Sequence, residues 1–205
     1  MTIEQLHHLL SARTPAPMDT TRRFAVLVPL VEREDGLHLL YELRAASLRT
    51  QPQEVCFPGG GMEPGESPVD CALRETREEL GIQPHQVQVL GPLDFICHRS
   101  GFVLYPILGR VEESVLDHLT INPQEVDRVF TIPLSALGRM PAQEYRYDLH
   151  PVLPADFPYA ALGITPDYPW RVGEESGPIY PWQDTAVWGM TGRITRHVLN
   201  LLEEV

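Results

Sequence analysis

Gly59-Gly60-Gly61-Met62-Glu63-Pro64-Gly65-Glu66-Ser67-Pro68-Val69-Asp70-Cys71-Ala72-Leu73-Arg74-Glu75-Thr76-Arg77-Glu78-Glu79-Leu80-Gly81-Ile82 is the stretch on which the reading of this chain turns. Three glycines lead into a helix whose ends are both signed. Ser67 suits the N-cap, Pro68 the first helical position, and Asp70 completes a variant capping box. Gly81 marks the C-terminal stop. At about 100° per residue, Val69, Ala72, Leu73, Thr76 and Leu80 share an apolar stripe, and Glu75, Glu78 and Glu79 gather on another face. Carboxylates spaced i, i+3 and i+4 repel by a few tenths of a kcal/mol per pair. No lysine interleaves them, although Arg74 and Arg77 offer partial compensation. Three glutamates alone can be no more than a solvated acidic face. Behind a glycine-rich approach, where backbone comes close to a ligand and can lend a carbonyl oxygen, they suit a hard divalent cation such as Mg²⁺.

Outward from this helix, the chain alternates short apolar runs with turn signals. Ile3 to Leu10 suits a short helix, ended by Pro15 and Pro17. Phe24 to Val31 and Leu37 to Leu43 read as strands around an Asp35-Gly36 hairpin. Val55 to Gly61 reads as a short strand, and Val87 to Phe95, Tyr105 to Val111 and Val126 to Ile132 as three more. Met140 to Trp182 is rich in proline and aromatics without a sustained period, so an ordered long loop is expected over 140–183. Asp184 offers an N-cap for a last helix over 184–204, with Val187, Met190, Thr191, Ile194, Val198, Leu201 and Leu202 at helical spacing. The expected organisation is an N-terminal helix and linker over 1–22, followed by one domain over 23–205. Strands on either side of a central helix predict an α+β fold with a mixed sheet between helices.

Composition narrows the function. Sixteen basic against 28 acidic residues leave a net charge of −12, which disfavours nucleic acid as a partner. A small anion remains compatible, because a bound metal or local basic patch inverts the field at one site. Cys56, Cys71 and Cys97 have no paired metal spacing and suit a reducing compartment. No apolar stretch reaches the length of a membrane span, and Met1 to Leu10 lacks the pattern of a signal peptide, so a cytoplasmic protein is expected. The oligomeric state is left open, a homodimer included.

The stretch resembles the signature of the Nudix hydrolases, Gly-x5-Glu-x7-Arg-Glu-U-x-Glu-Glu-x-Gly-U, where U is bulky and apolar. Gly60, Glu66, Arg74, Glu75, Glu78, Glu79, Gly81 and Ile82 fill their places, and Thr76 departs at the first U position. The resemblance implies an α/β/α sandwich around a mixed sheet, and Mg²⁺-dependent hydrolysis (Mn²⁺ as substitute) of a nucleoside diphosphate linked to another group. It also implies that Glu78 and Glu79 are the main metal ligands, joined by the Gly59 carbonyl. Glu75 then ligates or orients, Arg74 holds the carboxylates, and Glu66 ties loop to helix. The general base varies across the family; Glu79 and Glu125 are the candidates here.

Upstream, Leu39 to Gly60 resembles the element that marks coenzyme A pyrophosphatases, roughly Leu-Leu-Thr-x-Arg-Ser-x-x-Leu-Arg-x-His-x-Gly-Gln-Val-x-Phe-Pro-Gly-Gly. Arg44, Leu48, Arg49, Val55, Phe57, Pro58, Gly59 and Gly60 keep their places, whereas Gln51, Gln53 and Glu54 replace His, Gly and Gln. Asn122 to Phe130 and Val187 to Thr191 resemble further segments of that branch. The resemblance implies coenzyme A or an acyl derivative as substrate, with Arg44, Arg49 and Phe57 as candidate binding residues. The tyrosines and tryptophans of 168–182 could stack on adenine or simply pack their own loop. ADP-ribose, dinucleotides and nucleoside triphosphates are the competing substrates. A nucleotide sensor that no longer cleaves is the competing class, and such proteins usually lose motif glutamates that are all present here.

Overall fold

β-Branched and aliphatic residues dominate the chain on both sides of Glu34-Asp35, and both sides are strands. The computed structural model describes residues 1–20 and 22–203. In chain order these form α1 (Ile3–Ser11), β1 (Arg22–Arg33), β2 (Gly36–Arg44), β3 (Val55–Cys56), β4 (Gly59–Gly61) and α2 (Pro68–Leu80). A 3-10 turn (Pro84–Gln86), β5 (Val87–Pro92), β6 (Ile96–His98), β7 (Phe102–Val111), α3 (Glu113–Leu116), β8 (Val126–Pro133) and α4 (Leu134–Arg139) follow. The chain ends with β9 (Gln143–Leu149), α5 (Tyr159–Leu162), β10 (Gly173–Trp182), β11 (Thr185–Val187) and α6 (Gly189–Glu203). This is the expected mixed α and β architecture with a mixed sheet. No helix among the described residues is long and apolar enough to cross a membrane.

The chain forms two compact units, Met1–Leu30 with Pro58–Asn122 and Val31–Phe57 with Pro123–Val205. In the first, β7 pairs antiparallel with β5 and β6, and β4 pairs antiparallel with β1 through Phe24↔Gly61, Ala25↔Gly60 and Val26↔Gly59. Its buried side chains include Leu27, Val28, Ala72, Leu80, Val103 and Ile107. The strand expected over 87–95 is cut short at Pro92. Its register against β7 shifts between Val89 and Gly91, and the pairing resumes in β6 at Ile96.

In the second unit, β2 is flanked by β3 and β8. Residues 38–43 of β2 are buried without a break, as in strands covered on both faces, so the period-2 signal is absent there. Tyr41 is wholly buried, its hydroxyl sharing a 2.9 Å hydrogen bond with Thr195.

Two expectations in this unit are corrected. The segment read as a long loop carries an antiparallel ladder, with Gly173↔Leu149 through Ile179↔Gln143 joining β9 to β10. All of β9 except Leu149 is exposed, so no apolar alternation announced it. The last helix begins at Gly189 rather than after Asp184. Both Asp184 carboxylate oxygens accept from Arg128 Nη2, at 2.7 and 2.8 Å, and Thr185–Val187 are drawn into pairing with β10.

Candidate active site

α2 carries the candidate site residues Arg74, Glu75, Glu78 and Glu79, and local chemistry fixes its ends. The Ser67 hydroxyl accepts the Asp70 N–H at 3.1 Å and donates to the Asp70 carboxylate at 2.6 Å. The expected capping box therefore closes side chain to side chain, leaving the Ser67 N–H out of it. Pro68 occupies the first turn, where its missing N–H costs nothing. At the other end Gly81 is left-handed (φ 77°), and its N–H donates to the Arg77 carbonyl. A side chain at Gly81 would also press on Thr120, so both backbone angle and space require glycine.

The faces of α2 are not divided as the motif spacing suggests. Glu79 is only 3% exposed and belongs with buried Cys71, Ala72, Thr76 and Leu80. It lies seven residues after Ala72 and so about 20° from it around the helix. Its carboxylate accepts the Gly59 N–H at 2.8 Å, which ties helix to glycine strand. Thr76 is accommodated in the core because its hydroxyl donates to the Ala72 carbonyl at 2.7 Å.

Arg74 links most of the remaining motif. Its Nε donates to Glu66 at 2.8 Å and its Nη2 to Glu66 at 3.1 Å and to the Gly61 carbonyl at 3.0 Å. Its Nη1 donates to Glu75 at 2.7 Å and, more loosely, to Glu78 at 3.4 Å. The Glu66 carboxylate also accepts the Glu63 N–H at 2.8 Å, so loop and helix close on one carboxylate. Hydrogen bonds from Arg74 and from that N–H hold the Glu66 carboxyl at about 2, and the carboxylates in turn raise the Arg74 guanidinium. The partial compensation expected from Arg74 and Arg77 is present, with Arg74 bracing Glu75 and both arginines reaching Glu78. Gly60 leaves room for this arrangement, since a Cβ there would run into the Glu75 carboxylate.

Cys71, read from the sequence with Cys56 and Cys97 as a free thiol, is wholly buried. Its thiol contacts the Gly60 carbonyl at 3.6 Å, and burial pushes its pKa up to about 12, so it serves as packing rather than as a nucleophile. An opening of about 590 Å³ lies at the same end of this unit, lined by Arg22, Arg23 and Phe24 of β1 and by residues 61–66.

No three His, Cys, Asp or Glu side chains group as a metal site among the described residues. The α2 donors are nevertheless hard carboxylate oxygens, the type that Mg²⁺ and Mn²⁺ select. Glu78 is 47% exposed and held only by long contacts, at 3.4 Å from Arg74 and 3.5 Å from Arg77. The residues fit such a cation in donor chemistry, while in this arrangement Arg74 supplies the positive charge to Glu75 and Glu78.

The other candidates lie in the second unit. Glu125 precedes β8 and accepts the Ala45 N–H through its backbone carbonyl at 2.8 Å. Arg44 reaches the Thr50 carbonyl at 3.5 Å, and Arg49 is exposed. Phe57, expected to touch a ligand, is only 3% exposed and stacks on Tyr41 with ring centroids 4.8 Å apart. It is a core residue. Phe157 packs edge to face on Tyr159 and Trp170, and Tyr168 on Trp170, so these four rings support the proline-rich segment itself.

Comparison with known families decides what this helix is. The model of the NUDIX domain matches residues 21–154, which take in the whole of α2 and the glycine approach. The chain belongs to the Nudix family. It is a pyrophosphohydrolase of the coenzyme A pyrophosphatase-like branch. Nudix hydrolase 3 of Caenorhabditis elegans is 32% identical over 198 residues, covering 93% of this chain and 77% of that protein. The mitochondrial coenzyme A diphosphatase NUDT8 of Mus musculus is 34% identical over 202 residues, 97% of this chain and 87% of that protein. The peroxisomal coenzyme A diphosphatase NUDT7 of Mus musculus is 36% identical over 116 residues, but the match takes in 56% of this chain and 48% of that protein. Nudix enzymes generally use divalent metal ions such as Mg²⁺ and act on small nucleoside diphosphate derivatives.

Proposed function

We propose that this Nudix enzyme hydrolyses coenzyme A or an acyl-coenzyme A to 4′-phosphopantetheine, or its acyl form, and adenosine 3′,5′-diphosphate. The observation that carries the reading is the pairing of an intact motif helix with the Arg44 to Gly60 element. Similarity to a mouse coenzyme A diphosphatase over 97% of the chain supports it. Glu75, Glu78 and Glu79, with the Gly59 carbonyl, would hold Mg²⁺ or Mn²⁺. When bound, such an ion lowers the pKa of water and offsets charge on phosphoryl oxygens.

The chain's own residues do the rest. A water oxygen bonds to one phosphorus, the bridging P–O bond breaks, and the water's proton passes to a carboxylate, either Glu79 or Glu125. The Arg74 brace keeps Glu66, Glu75 and the Gly61 carbonyl in fixed relation, so the glycine strand and the helix present their oxygens together. Arg44 and Arg49 recognise phosphate. A cytosolic setting is part of the same proposal, and the three free cysteines suit it.

The test is hydrolysis of a panel comprising coenzyme A, an acyl-coenzyme A, ADP-ribose, a dinucleotide and a nucleoside triphosphate, with and without Mg²⁺. Products are identified by mass spectrometry. Coenzyme A derivatives should give the highest kcat/KM, and excess chelator should abolish turnover. A large preference for ADP-ribose or a dinucleotide refutes the substrate, and full turnover in chelator refutes the metal.

A further inference from the structure

Residues 45–54 join β2 to β3, and two non-glycine residues there are left-handed: Gln51 at φ 52° and Gln53 at φ 59°. Such backbone persists only where its surroundings over-determine it, and it concentrates at ligand sites. The bonds that hold it here are specific. The Gln53 side-chain amide donates to the Arg44 carbonyl at 3.0 Å, and the Gln53 backbone N–H donates to the same oxygen at 3.2 Å. Arg44 N–H donates to the Glu54 carbonyl at 3.0 Å, and the Gln51 side-chain amide donates to the Glu54 carboxylate at 3.1 Å. Gln51, Gln53 and Glu54 are the three positions at which this chain leaves the coenzyme A pyrophosphatase element. They therefore act as one substituted set, in which two glutamine amides close a loop that the element builds with glycine.

The closed loop leaves positive charge without a counter-charge. Arg44 Nε is buried with no acceptor among the described residues. Arg49 is exposed and makes no ion pair or hydrogen bond among them, in a chain of net charge −12. A guanidinium on a rigid loop recognises phosphate best, because little freedom is left to lose on binding.

We infer that Gln53, together with Gln51, is a positioning residue that fixes the 45–54 loop so that Arg49 meets a phosphate of the substrate. The inference rests on the proposed hydrolysis of coenzyme A and assigns the substituted glutamines a part in it. The experiment compares the full-length wild type with Q53G, Q53N, R49A and the double variant R49A/Q53G, measuring kcat, KM and thermal midpoint. Q53G should raise KM for coenzyme A roughly tenfold and keep kcat within about twofold. Q53N, which keeps an amide and tolerates left-handed backbone, should recover part of that loss. Because Gln53 acts through Arg49, the double variant should have the KM of R49A alone. Coenzyme A lacking its 3′-phosphate separates the two phosphate sources. The R49A defect disappears on that substrate if Arg49 holds the 3′-phosphate, and persists if it holds the diphosphate.

An unchanged KM for Q53G overturns the inference. So do KM effects that multiply in the double variant, or a Q53G defect in kcat that tracks a lowered thermal midpoint. A wild type that leaves coenzyme A intact fails at the first control and refutes the substrate assignment itself.

Discussion

Replacing Arg74 by lysine keeps the charge and removes the fork, which makes it the most direct probe of how α2 is organised. In the structure Arg74 spends its N–H groups on Glu66 twice, on Glu75, on Glu78 and on the Gly61 carbonyl. A lysine ammonium has three N–H groups on one atom and cannot span the Glu66 and Glu75 carboxylates in the same geometry. At least two of the shorter contacts are lost. Each typical hydrogen bond contributes about 0.5–1.5 kcal/mol net. The Arg74 side chain is 21% exposed and its partners 12% and 15%, so solvent screening trims the upper end. The stability cost of Arg74→Lys is then about 1–2 kcal/mol, or a thermal midpoint lower by about 3–6 °C in a chain of this size.

Activity should fall further than stability. A carboxylate left without its outer partner typically loses about 10–100-fold in metal affinity or activity. The assay is kcat over a Mg²⁺ titration, with circular dichroism for the fold and its midpoint. A lowered kcat that extra Mg²⁺ partly restores is the expected result. Arg74→Lys with wild-type kcat, Mg²⁺ dependence and midpoint would refute the idea that one guanidinium organises these carboxylates.

Glu79→Gln keeps an acceptor for the Gly59 N–H and nearly the same volume, so the fold should persist. If Glu79 holds metal or takes the water's proton, kcat should drop on the order of a thousandfold, about 4 kcal/mol of barrier; folded protein with near-normal kcat removes it from the site. Because Glu66 titrates at about 2 when folded, below the ordinary carboxylate value, its contribution is complete above that ordinary value and drains away as pH falls towards 2. Wild-type thermal midpoints should accordingly decline more steeply than those of Glu66→Gln between about pH 5 and pH 2, and parallel curves would count against the Glu66–Arg74 bond. Gly81→Ala meets both a left-handed backbone and the close approach of Thr120, and should cost about 2 kcal/mol, or about 4–8 °C, by thermal melting.

What could be read from the sequence depended on whether a residue's role was set by its neighbours along the chain. The ends of α2 were legible because Ser67, Pro68 and Gly81 act on backbone groups within a turn of themselves. Asp184 showed the limit of such local logic. A good capping residue in isolation, it is claimed by Arg128, which lies 56 positions away, and the helix starts later as a result. β9 had no apolar face to declare itself, since its bonds go to β10 across residues 150–172.

The same distinction runs through the site. Spacing grouped Glu75, Glu78 and Glu79 on one face, but it could not say which of the three points inward. That depends on Gly59, twenty positions before Glu79, offering an N–H where the helix turns its edge towards the core. An inward carboxylate on a backbone donor is held in one orientation, whereas Glu78, at the exposed edge of the same helix, has only long contacts to Arg74 and Arg77. The motif thus joins one fixed and one adaptable acid through a bond between strand and helix. Loss of the Gly59 N–H would take a hydrogen bond from the buried Glu79 carboxyl, so the first glycine of the triplet and the second glutamate of the pair depend on one another.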